Sequence, residues 1–520
     1  MSRDDAMSML GMDVARVASL HPDRPAVVSP HGCRSFAELN RRANQLVRHW
    51  RSCGLREGDC VALLCSNRPE FAEVVSAVMR SGVVMVPVNW HLPPEDVAYV
   101  VADCGARALV AEGRFAEAAG LAARESGRLL SRLSVDAPIE GFSDYAVTLS
   151  GERGDDVDDP SLGRFMLYTS GTTGRPKGVV RRQTPEEFVQ GHRLFAAFFG
   201  FDPEAQDMTL ATAPLYHGGP LEFVLRVPLA SGIPVYLMDE WEAEEMLRIV
   251  HRHGITHTFC VPTMFRRLLA LPEAVRRAHD LSSLRFVMHG GAPTPVADKH
   301  AMIEWLGPIL METYGSSEGI AVLIDSREWL KRPGSVGRPA PDSVLIAGEH
   351  GEPLPPGETG TLYMKPRGGG RFQYFKAPEK TREAVLGDFV TAGDIGHLDE
   401  EGYLFLSGRS AELVICGGAN VYPAEADEVL LAHPRVADAA AFGVPDEEWG
   451  EVLAAVVVLE PGARDSAELR DDVLAHCRGR LGAHRSPKRL EVVDEVLRSA
   501  AGKILRRELQ ASYASRNSGA

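Results

Sequence analysis

The chain has 520 residues, of which 45% are hydrophobic and 24% are charged, and its formal net charge is −15. These values are typical of a soluble globular protein that is long enough for two or more domains. The acidic balance, without any block of consecutive Lys or Arg, argues against nucleic acid as the main partner, because nucleic acids are bound by basic surfaces.

The eight cysteines are scattered and form no Cys-x-x-Cys pair. This pattern indicates reduced intracellular thiols, and it argues against disulfides or a zinc site. The N-terminus is polar and acidic and lacks the apolar core of a signal peptide. No apolar run reaches the roughly 18 residues that a membrane helix needs. We therefore expect a cytoplasmic protein with no membrane span.

The first 160 residues alternate between helical and strand patterns. Helices are predicted over Phe36–Cys53 and Pro69–Ser81, and buried strands over Cys60–Cys65 and Val83–Val88. This alternation predicts layers of helices around a mostly parallel sheet.

The most informative stretch is Tyr168–Gly178, which reads Tyr-Thr-Ser-Gly-Thr-Thr-Gly-Arg-Pro-Lys-Gly and follows an apolar strand predicted over 163–168. Its glycines let the backbone turn N–H groups toward an anion, its hydroxyls donate to phosphate oxygens, and Lys177 adds a positive charge. The spacing differs from the Walker phosphate loop and from the dinucleotide Gly-x-Gly-x-x-Gly pattern. We interpret it as a loop for the β and γ phosphates of ATP, since a flexible surface turn explains fewer of its residues.

Four more motifs follow in the C-terminal direction. An apolar run ends in Tyr216-His217-Gly218-Gly219, a strand runs into a Gly-Gly turn within Leu284–Pro293, Glu312–Gly319 reads Glu-Thr-Tyr-Gly-Ser-Ser-Glu-Gly, and Arg498–Arg506 ends in Gly-Lys-Ile-Leu-Arg. Taken singly, each motif has an ordinary structural explanation. In order, these are a buried histidine whose hydrogen bonds are made within the protein, a turn at the end of a strand, a helix cap and a lysine exposed to solvent.

Together and in this order, the motifs resemble those of the adenylate-forming superfamily, which includes acyl-CoA synthetases, adenylation domains and firefly luciferase. The resemblance covers essentially the whole chain and is closest to the acyl-CoA synthetase or fatty-acid–CoA ligase type. It implies an α/β fold with a large N-terminal domain of layered α/β subdomains, residues 1–411, and a small mobile α+β C-terminal domain, residues 412–520, hinged near Glu412. Residues 514–520 are expected to be disordered.

Three residues depart from the family pattern. Ser317 replaces a threonine and keeps its hydroxyl, and Ala392 stands where many relatives have Thr. Glu412 stands where relatives have Asp or Lys, so the torsional details of the hinge stay open.

The resemblance assigns a role to each motif. It implies catalytic roles for Lys503, Glu318, Ser317 and Thr169, with Glu318 as the ligand of Mg²⁺, a cation that prefers oxygen. The residues implied in binding ATP or CoA are Ser170, Gly171, Thr172, Thr173, Gly174, Lys177, Gly291, Ala292, Pro293, Thr313, Tyr314, Gly315, Asp394, Arg409, Gly417, Gly418 and Tyr422. The residues implied in binding the acid are His217, Gly290 and Ser316.

The implied activity is the ATP-dependent conversion of a carboxylic acid to an acyl adenylate with release of pyrophosphate, followed by transfer to CoA. ATP, Mg²⁺ and CoA are the implied cofactors, and a small-molecule acid is the partner. Lys503 would serve the first step and then leave as the small domain swings about Glu412.

Other interpretations stay open. The activated group could pass to a carrier protein or an amine, or the enzyme could activate an unusual oxyanion such as nitrite. An inactive ATP-binding scaffold is a fourth possibility, against which the retained charged residues argue. The sequence does not distinguish a fatty, aryl or steroid side-chain acid, and it leaves the oligomeric state, including a homodimer, undecided.

Overall fold

The computed structural model describes residues 3–169, 176–316, 320–366, 371–416, 419–446, 449–499 and 502–517. The strands in these ranges are β1 (Pro25–Ser29), β2 (Gly32–Ser35), β3 (Cys60–Leu64), β4 (Val84–Pro87), β5 (Ala108–Glu112), β6 (Ser131–Val135), β7 (Ser143–Asp144), β8 (Arg164–Phe165), β9 (Leu167–Thr169), β10 (Lys177–Arg182), β11 (Thr209–Ala211), β12 (Val235–Leu237), β13 (His257–Cys260), β14 (Phe286–Gly290), β15 (Leu310–Ser316), β16 (Ile320–Asp325), β17 (Val344–Ala347), β18 (Gly360–Met364), β19 (Arg371–Tyr374), β20 (Val385–Leu386), β21 (Phe389–Val390), β22 (Asp394–Leu398), β23 (Leu404–Arg409), β24 (Val414–Cys416), β25 (Ala419–Val421), β26 (Val436–Asp446), β27 (Gly450–Leu459) and β28 (Arg489–Val492).

The helices in the same ranges are α1 (Arg3–Met9), α2 (Asp13–Leu20), α3 (Phe36–Ser52), α4 (Pro69–Met79), α5 (Pro94–Asp103), α6 (Ala116–Ser126), α7 (Tyr145–Ser150), α8 (Pro185–Phe199), α9 (Gly218–Pro220), α10 (Val227–Ala230), α11 (Ala243–His253), α12 (Pro262–Leu269), α13 (Glu273–Arg277), α14 (Val296–Leu306), α15 (Ser326–Trp329), α16 (Pro378–Glu383), α17 (Pro423–Leu431), α18 (Ala467–Arg485) and α19 (Arg506–Asn517). A π-helical turn, Leu221–Arg226, joins α9 to α10. None of the described helices has an apolar stretch of the length that crosses a bilayer.

Two largely parallel sheets form the centre of the N-terminal part. In the described ranges one has the order β16-β15-β14-β13-β11-β12-β1-β2 and the other the order β7-β6-β5-β3-β4-β8. Helix α3 packs against this core through Phe36, Leu46 and Trp50, which are fully or almost fully buried. It begins where the Ser35 side chain accepts a hydrogen bond from the Glu38 N–H at 3.2 Å, and Glu38 caps Ser35 in return.

The predicted elements of the first 100 residues are confirmed to within two residues at their ends. The single strand predicted over 163–168 is wrong. The chain forms β8, which pairs with β4, and then β9, which pairs with β10 in a different sheet, with Met166 buried between them. Hydrophobicity revealed that the segment is extended, but it could not show that the segment crosses from one sheet to another.

The remaining sheets are smaller. Strands β20-β21-β18-β22-β23, with β17 beside β18, form an antiparallel unit in which β22 and β23 make a hairpin. The C-terminal part has its own sheet, β25-β24-β27-β26 with β28 beside β27, and its own apolar core, which runs from Val414 to Tyr513. The predicted α/β fold with a small α+β C-terminal domain is confirmed.

One prediction in the C-terminal part is wrong. Residues Ala514–Asn517 are helical, because α19 continues through them. Tyr513 anchors that helix, with its ring 5.5 Å from the ring of Phe442, and a tail of polar residues gave no sign of this contact. Residues 518–520 lie outside the described ranges.

Candidate active site

The predicted phosphate loop closes a β-hairpin. Lys177 at the start of β10 is paired with Thr169 at the end of β9, and the Lys177 ammonium lies 5.6 Å from the centre of the Tyr374 ring. Ser170, Gly171, Thr172, Thr173 and Gly174 lie outside the described residues. The paired strands therefore fix Thr169 and Lys177, which stand on either side of the predicted loop in the sequence.

Strands β14 and β15 bring two other motifs together. They are parallel neighbours, and Gly290 is paired with Thr313 at their carboxyl ends, so the turn Gly291-Ala292-Pro293 follows beside the segment Tyr314-Gly315-Ser316. Crevices at the carboxyl ends of parallel strands are where ligands bind in folds of this kind. The buried Ser316 Oγ has no hydrogen-bond partner among the described residues. Ser317 and Glu318 lie outside the described ranges.

Asp394 joins three motifs that are far apart in the sequence. Its carboxylate accepts a hydrogen bond from the Tyr314 hydroxyl at 2.7 Å and is paired with the Arg409 Nε at 3.1 Å. Asp394 is buried, and its backbone faces Arg409 across the β22–β23 hairpin. The structure thus places a carboxylate, a phenol and a guanidinium in one cluster, as expected for a site that holds a ribose and a phosphate.

Lys503 lies on a tight turn. The Ser499 N–H donates to the Lys503 carbonyl at 2.8 Å, and the Lys503 N–H donates to Ser499 Oγ at 3.2 Å. Arg498 braces the turn by donating to the Gly502 carbonyl at 3.0 Å while pairing with Asp438 at 2.7 Å. The side chain of Lys503 is exposed.

The turn is docked on the N-terminal part of the chain. Gly502 has a φ of +76°, and a Cβ at this position would lie 2.9 Å from Thr263 Oγ1 at the start of α12. One turn further along α12, Arg266 donates to the Ala437 carbonyl of β26 at 2.6 Å. No pattern in the sequence indicated that α12 contacts the C-terminal domain.

His217 lies beside the charge of Lys503. Burial is the main reason that the pKa of His217 falls to about 3, and the nearby positive charge of Lys503 lowers it further. His217 is therefore neutral at physiological pH. Its buried Nε2 atom has no hydrogen-bond partner in the described part of the chain, which fits the prediction that a substrate group lies here.

The structure adds two aromatic residues that sequence reasoning missed. Trp90 stacks on His91 with ring centres 3.6 Å apart, and His91 Nδ1 is hydrogen-bonded to the Tyr216 hydroxyl at 2.8 Å. Tyr216 in turn packs on His217, with 4.5 Å between ring centres. Their position in the sequence just after β4 could have revealed them, because residues that follow parallel strands often line binding sites.

The predicted hinge residue is tied to the C-terminal domain. The Glu412 carboxylate accepts from Arg506 Nε at 2.8 Å, and the same guanidinium pairs with Asp427 at 2.6 Å. Tyr422 lies against β23, where a Cβ on Gly408 would be 3.7 Å from the Tyr422 Cβ. Gly417 and Gly418 lie outside the described residues.

The Mg²⁺ prediction depends on Glu318, which is not among the described residues. Within the ranges that are described, no group of three or more His, Cys, Asp or Glu side chains is arranged to hold a metal ion.

Comparisons with known proteins agree with this geometry. Residues 14–371 match the model of the AMP-binding enzyme family, and residues 425–503 match that of the AMP-binding enzyme C-terminal domain. The chain is 34% identical to a feruloyl-CoA synthase from Amycolatopsis sp. over 97% of its own length and 99% of the relative's. It is 33% identical to an indoleacetate–CoA ligase from Aromatoleum aromaticum, with 94% and 95% covered.

A solved structure of similar shape is the anthranilate CoA ligase AuaEII in complex with anthranoyl-AMP. The TM-score is 0.86, the sequence identity is 25%, and 98% of each chain is covered. The chain therefore belongs to the AMP-binding enzyme family, the adenylate-forming superfamily that its motifs predicted, and within it to the acyl-CoA synthetase type.

Proposed function

We propose that this AMP-forming acid–CoA ligase activates a carboxylic acid that carries an aryl group. In the first half-reaction a carboxylate oxygen attacks the α-phosphorus of ATP, which forms an acyl adenylate and releases pyrophosphate. In the second, the thiolate of CoA attacks the acyl carbon, which forms the thioester and releases AMP. A fatty acyl group is the alternative that this proposal disfavours.

The observation that carries the adenylation chemistry is the position of Lys503. It lies on a docked turn, close enough to His217 for its charge to lower the pKa of that histidine. Two anions have to meet in the first step, so fixed positive charge and positioning supply most of the rate enhancement. The carboxylate is ionised at neutral pH, and no general base is needed.

The wall beside His217 supports an aryl substrate. Trp90, His91 and Tyr216 form a continuous ring cluster there, and a Cβ on Gly219 would lie 3.3 Å from the ring of Phe259. Flat rings pack well against flat rings, in stacked or edge-on geometry. The feruloyl, indoleacetate and anthranilate groups of the related enzymes are all aromatic.

The remaining site assignments are part of the proposal. Glu318 would hold Mg²⁺, which when bound neutralises phosphate charge during attack. Asp394 would accept hydrogen bonds from the ribose hydroxyls. After adenylation the domain that begins near Glu412 would rotate, withdraw Lys503 and present the segment that includes Gly417, Gly418 and Tyr422 to CoA.

The cellular location and the oligomeric state of the protein also belong to the proposal. All eight cysteines are free thiols in the structure, which fits a reducing cytoplasm. A homodimer stays a prediction, and light scattering of the purified protein tests it.

The test is pyrophosphate release from ATP with a panel of acids, each with and without CoA. The panel contains benzoate, phenylacetate, cinnamate, octanoate and palmitate. We expect release with an aryl acid, increased by CoA, together with the matching thioester by mass spectrometry. Release only with the straight-chain acids would overturn the aryl assignment. Release that ignores CoA would favour a carrier protein or an amine as acceptor.

A further inference from the structure

The turn between β14 and α14 is closed by a hydrogen bond across its base. His289, near the end of β14, and Thr294 stand on either side of the turn Gly291-Ala292-Pro293. His289 Nδ1 is hydrogen-bonded to Thr294 Oγ1 at 3.1 Å. Gly291 has a φ of +86°, a backbone conformation that other residues rarely adopt. The turn is therefore tight, and this side-chain contact holds its two ends together.

His289 is a rigid anchor for the contact. It is completely buried, and its ring lies 5.0 Å from that of Phe265 on α12. Burial, and then the positive charge of Lys299, hold the pKa of His289 well below its usual range, so the ring is neutral. A hydroxyl can donate or accept, so Thr294 can bond to either tautomer of a neutral histidine. The ring cannot turn without repacking the interior around it, and it therefore fixes the Thr294 hydroxyl.

Stability alone does not explain a histidine at this position. The Nε2 atom of His289 is also buried and has no hydrogen-bond partner among the residues that the structure describes. A buried nitrogen without a partner costs free energy, so an apolar side chain would pack here at lower cost. What the imidazole supplies is the contact to Thr294.

The neighbouring strand end is held by a buried ion pair. Glu312 on β15 is the register partner of His289, and its carboxylate pairs with the Lys299 ammonium of α14. Both side chains are buried, and the ammonium lies 4.5 Å from the centre of the Trp329 ring. Removing either partner would leave a buried charge uncompensated, so the pair fixes β15 two residues before Tyr314. The turn and the strand end beside it are thus both held from the interior.

The turn itself is open. Gly291 is exposed, and a Cβ built on it would have no other atom within 4 Å. Tyr314, in the segment beside the turn, donates its 2.7 Å hydrogen bond to Asp394. If Asp394 holds the ribose, the attached adenine lies near Tyr314, where a flat ring can approach the bare backbone of the turn.

We propose that His289 is a positioning residue for the adenine base of ATP, because it holds the turn Gly291-Ala292-Pro293 through Thr294. This inference rests on the proposed function, which places the ribose at Asp394. His289 acts from the interior and would not contact the nucleotide. Loss of its contact should weaken nucleotide binding and leave the rate of the bound complex unchanged.

The experiment measures kcat and KM for ATP in adenylate formation, and the Kd for AMP by calorimetry. Thr294→Val removes the hydroxyl and nearly keeps the shape of the side chain. We expect KM for ATP and Kd for AMP to rise about two- to tenfold, the range for one lost neutral hydrogen bond. The kcat and the KM for the acid should change by less than about twofold. Thr294→Ser, which keeps the hydroxyl, should stay near the wild type.

A second variant tests whether His289 acts through Thr294. His289→Leu should raise KM for ATP by a similar factor. The double variant with Thr294→Val should exceed the larger single effect by less than about twofold, since both changes remove the same contact. Effects that multiply would mean that the two residues act separately, which overturns the proposal.

Thr256→Val is the matched control. Thr256 Oγ1 is hydrogen-bonded to His257 Nδ1 at 2.8 Å, and it also bonds to the backbone of Met208. The variant thus removes a Thr–His contact of the same kind in the same sheet, but at the amino end of β13, the edge opposite to the site. It should lower the melting temperature and leave KM for ATP unaltered.

Three results would overturn the assignment of His289 while the ligase activity stands. They are a KM for ATP within twofold of the wild type in Thr294→Val, an equal rise in Thr256→Val, and a loss in Thr294→Val that is confined to kcat or to the melting temperature. Absence of both adenylation and AMP binding in the wild-type protein would instead contradict the proposed function itself.

Discussion

The nucleotide end of the site and the Lys503 turn are built in opposite ways. Tyr314, Asp394 and Arg409 come from strands of the N-terminal domain. The buried Asp394 accepts a 2.7 Å hydrogen bond from Tyr314 and forms a 3.1 Å ion pair with Arg409. Lys503 is exposed and reaches the site on a turn whose contacts with that domain include Thr263. We call the first the permanent part and the second the docked part, and the proposed two-step reaction with two nucleophiles would use such a division.

Lys503→Ala should have the largest effect. Loss of the docked positive charge should lower the rate of adenylate formation about 10²–10³-fold, the range seen when one preorganised charge stabiliser is removed. Thioester formation from supplied acyl adenylate and CoA should change by less than about threefold, because the proposed rotation of the C-terminal domain would withdraw Lys503 in that step. Pyrophosphate release and thioester yield measure the two separately. An equal fall in both would contradict the docked-and-released model.

Asp394→Asn tests the permanent part. The amide keeps the shape but loses the charge that pairs with Arg409, and one lost charge-assisted hydrogen bond costs about 1.5–3 kcal/mol, or about 10–100-fold. We expect this loss mainly as a higher KM for ATP, and both half-reactions should suffer since AMP is bound in each. Asp399→Asn, in the turn after β22, is the control. If only adenylate formation were slowed, Asp394 would act in the first half-reaction alone, as is proposed for Lys503.

The permanent part was largely predictable from the sequence. Each of its residues was named from the family resemblance, and the common edge of parallel strands explains why Gly290 and Thr313 meet. Asp394 and Arg409 meet because they face each other across the β22–β23 hairpin. Local patterns sufficed because these residues are placed by secondary structure.

The docked part and the pocket wall could not be predicted in the same way. Contacts such as Gly502 with Thr263, or Arg266 with Ala437, join segments that are more than 150 residues apart, and no local pattern encodes them. His91 was missed for a related reason, because its hydrogen bond to Tyr216 joins residues that are 125 positions apart.

Gly502→Ala should weaken docking alone. The position has a φ of +76° and close contact with Thr263, so a methyl group adds backbone strain of about 1 kcal/mol together with a steric clash. We expect adenylate formation to fall about 10–50-fold, with thioester formation little changed. Gly462→Ala, also at positive φ (+89°) but with no atom within 4 Å of its Cβ, separates the two causes. An equal loss in both variants would mean that strain, and not docking, is responsible.

Arg266→Met should have the smallest effect and is the most specific to the interface. It removes the 2.6 Å hydrogen bond to the Ala437 carbonyl, together with a 3.1 Å ion pair to Asp298 on α14, and changes none of the site residues. One such bond is worth about 0.5–1.5 kcal/mol, so adenylate formation should fall about two- to tenfold. Thioester formation should be equal or slightly faster, since the docked arrangement competes with the rotated one. Arg267→Met changes the exposed neighbour on the same helix and should alter neither rate. If Arg266→Met slowed both half-reactions alike, α12 would contribute to the stability of the domain and not to the choice between its two positions.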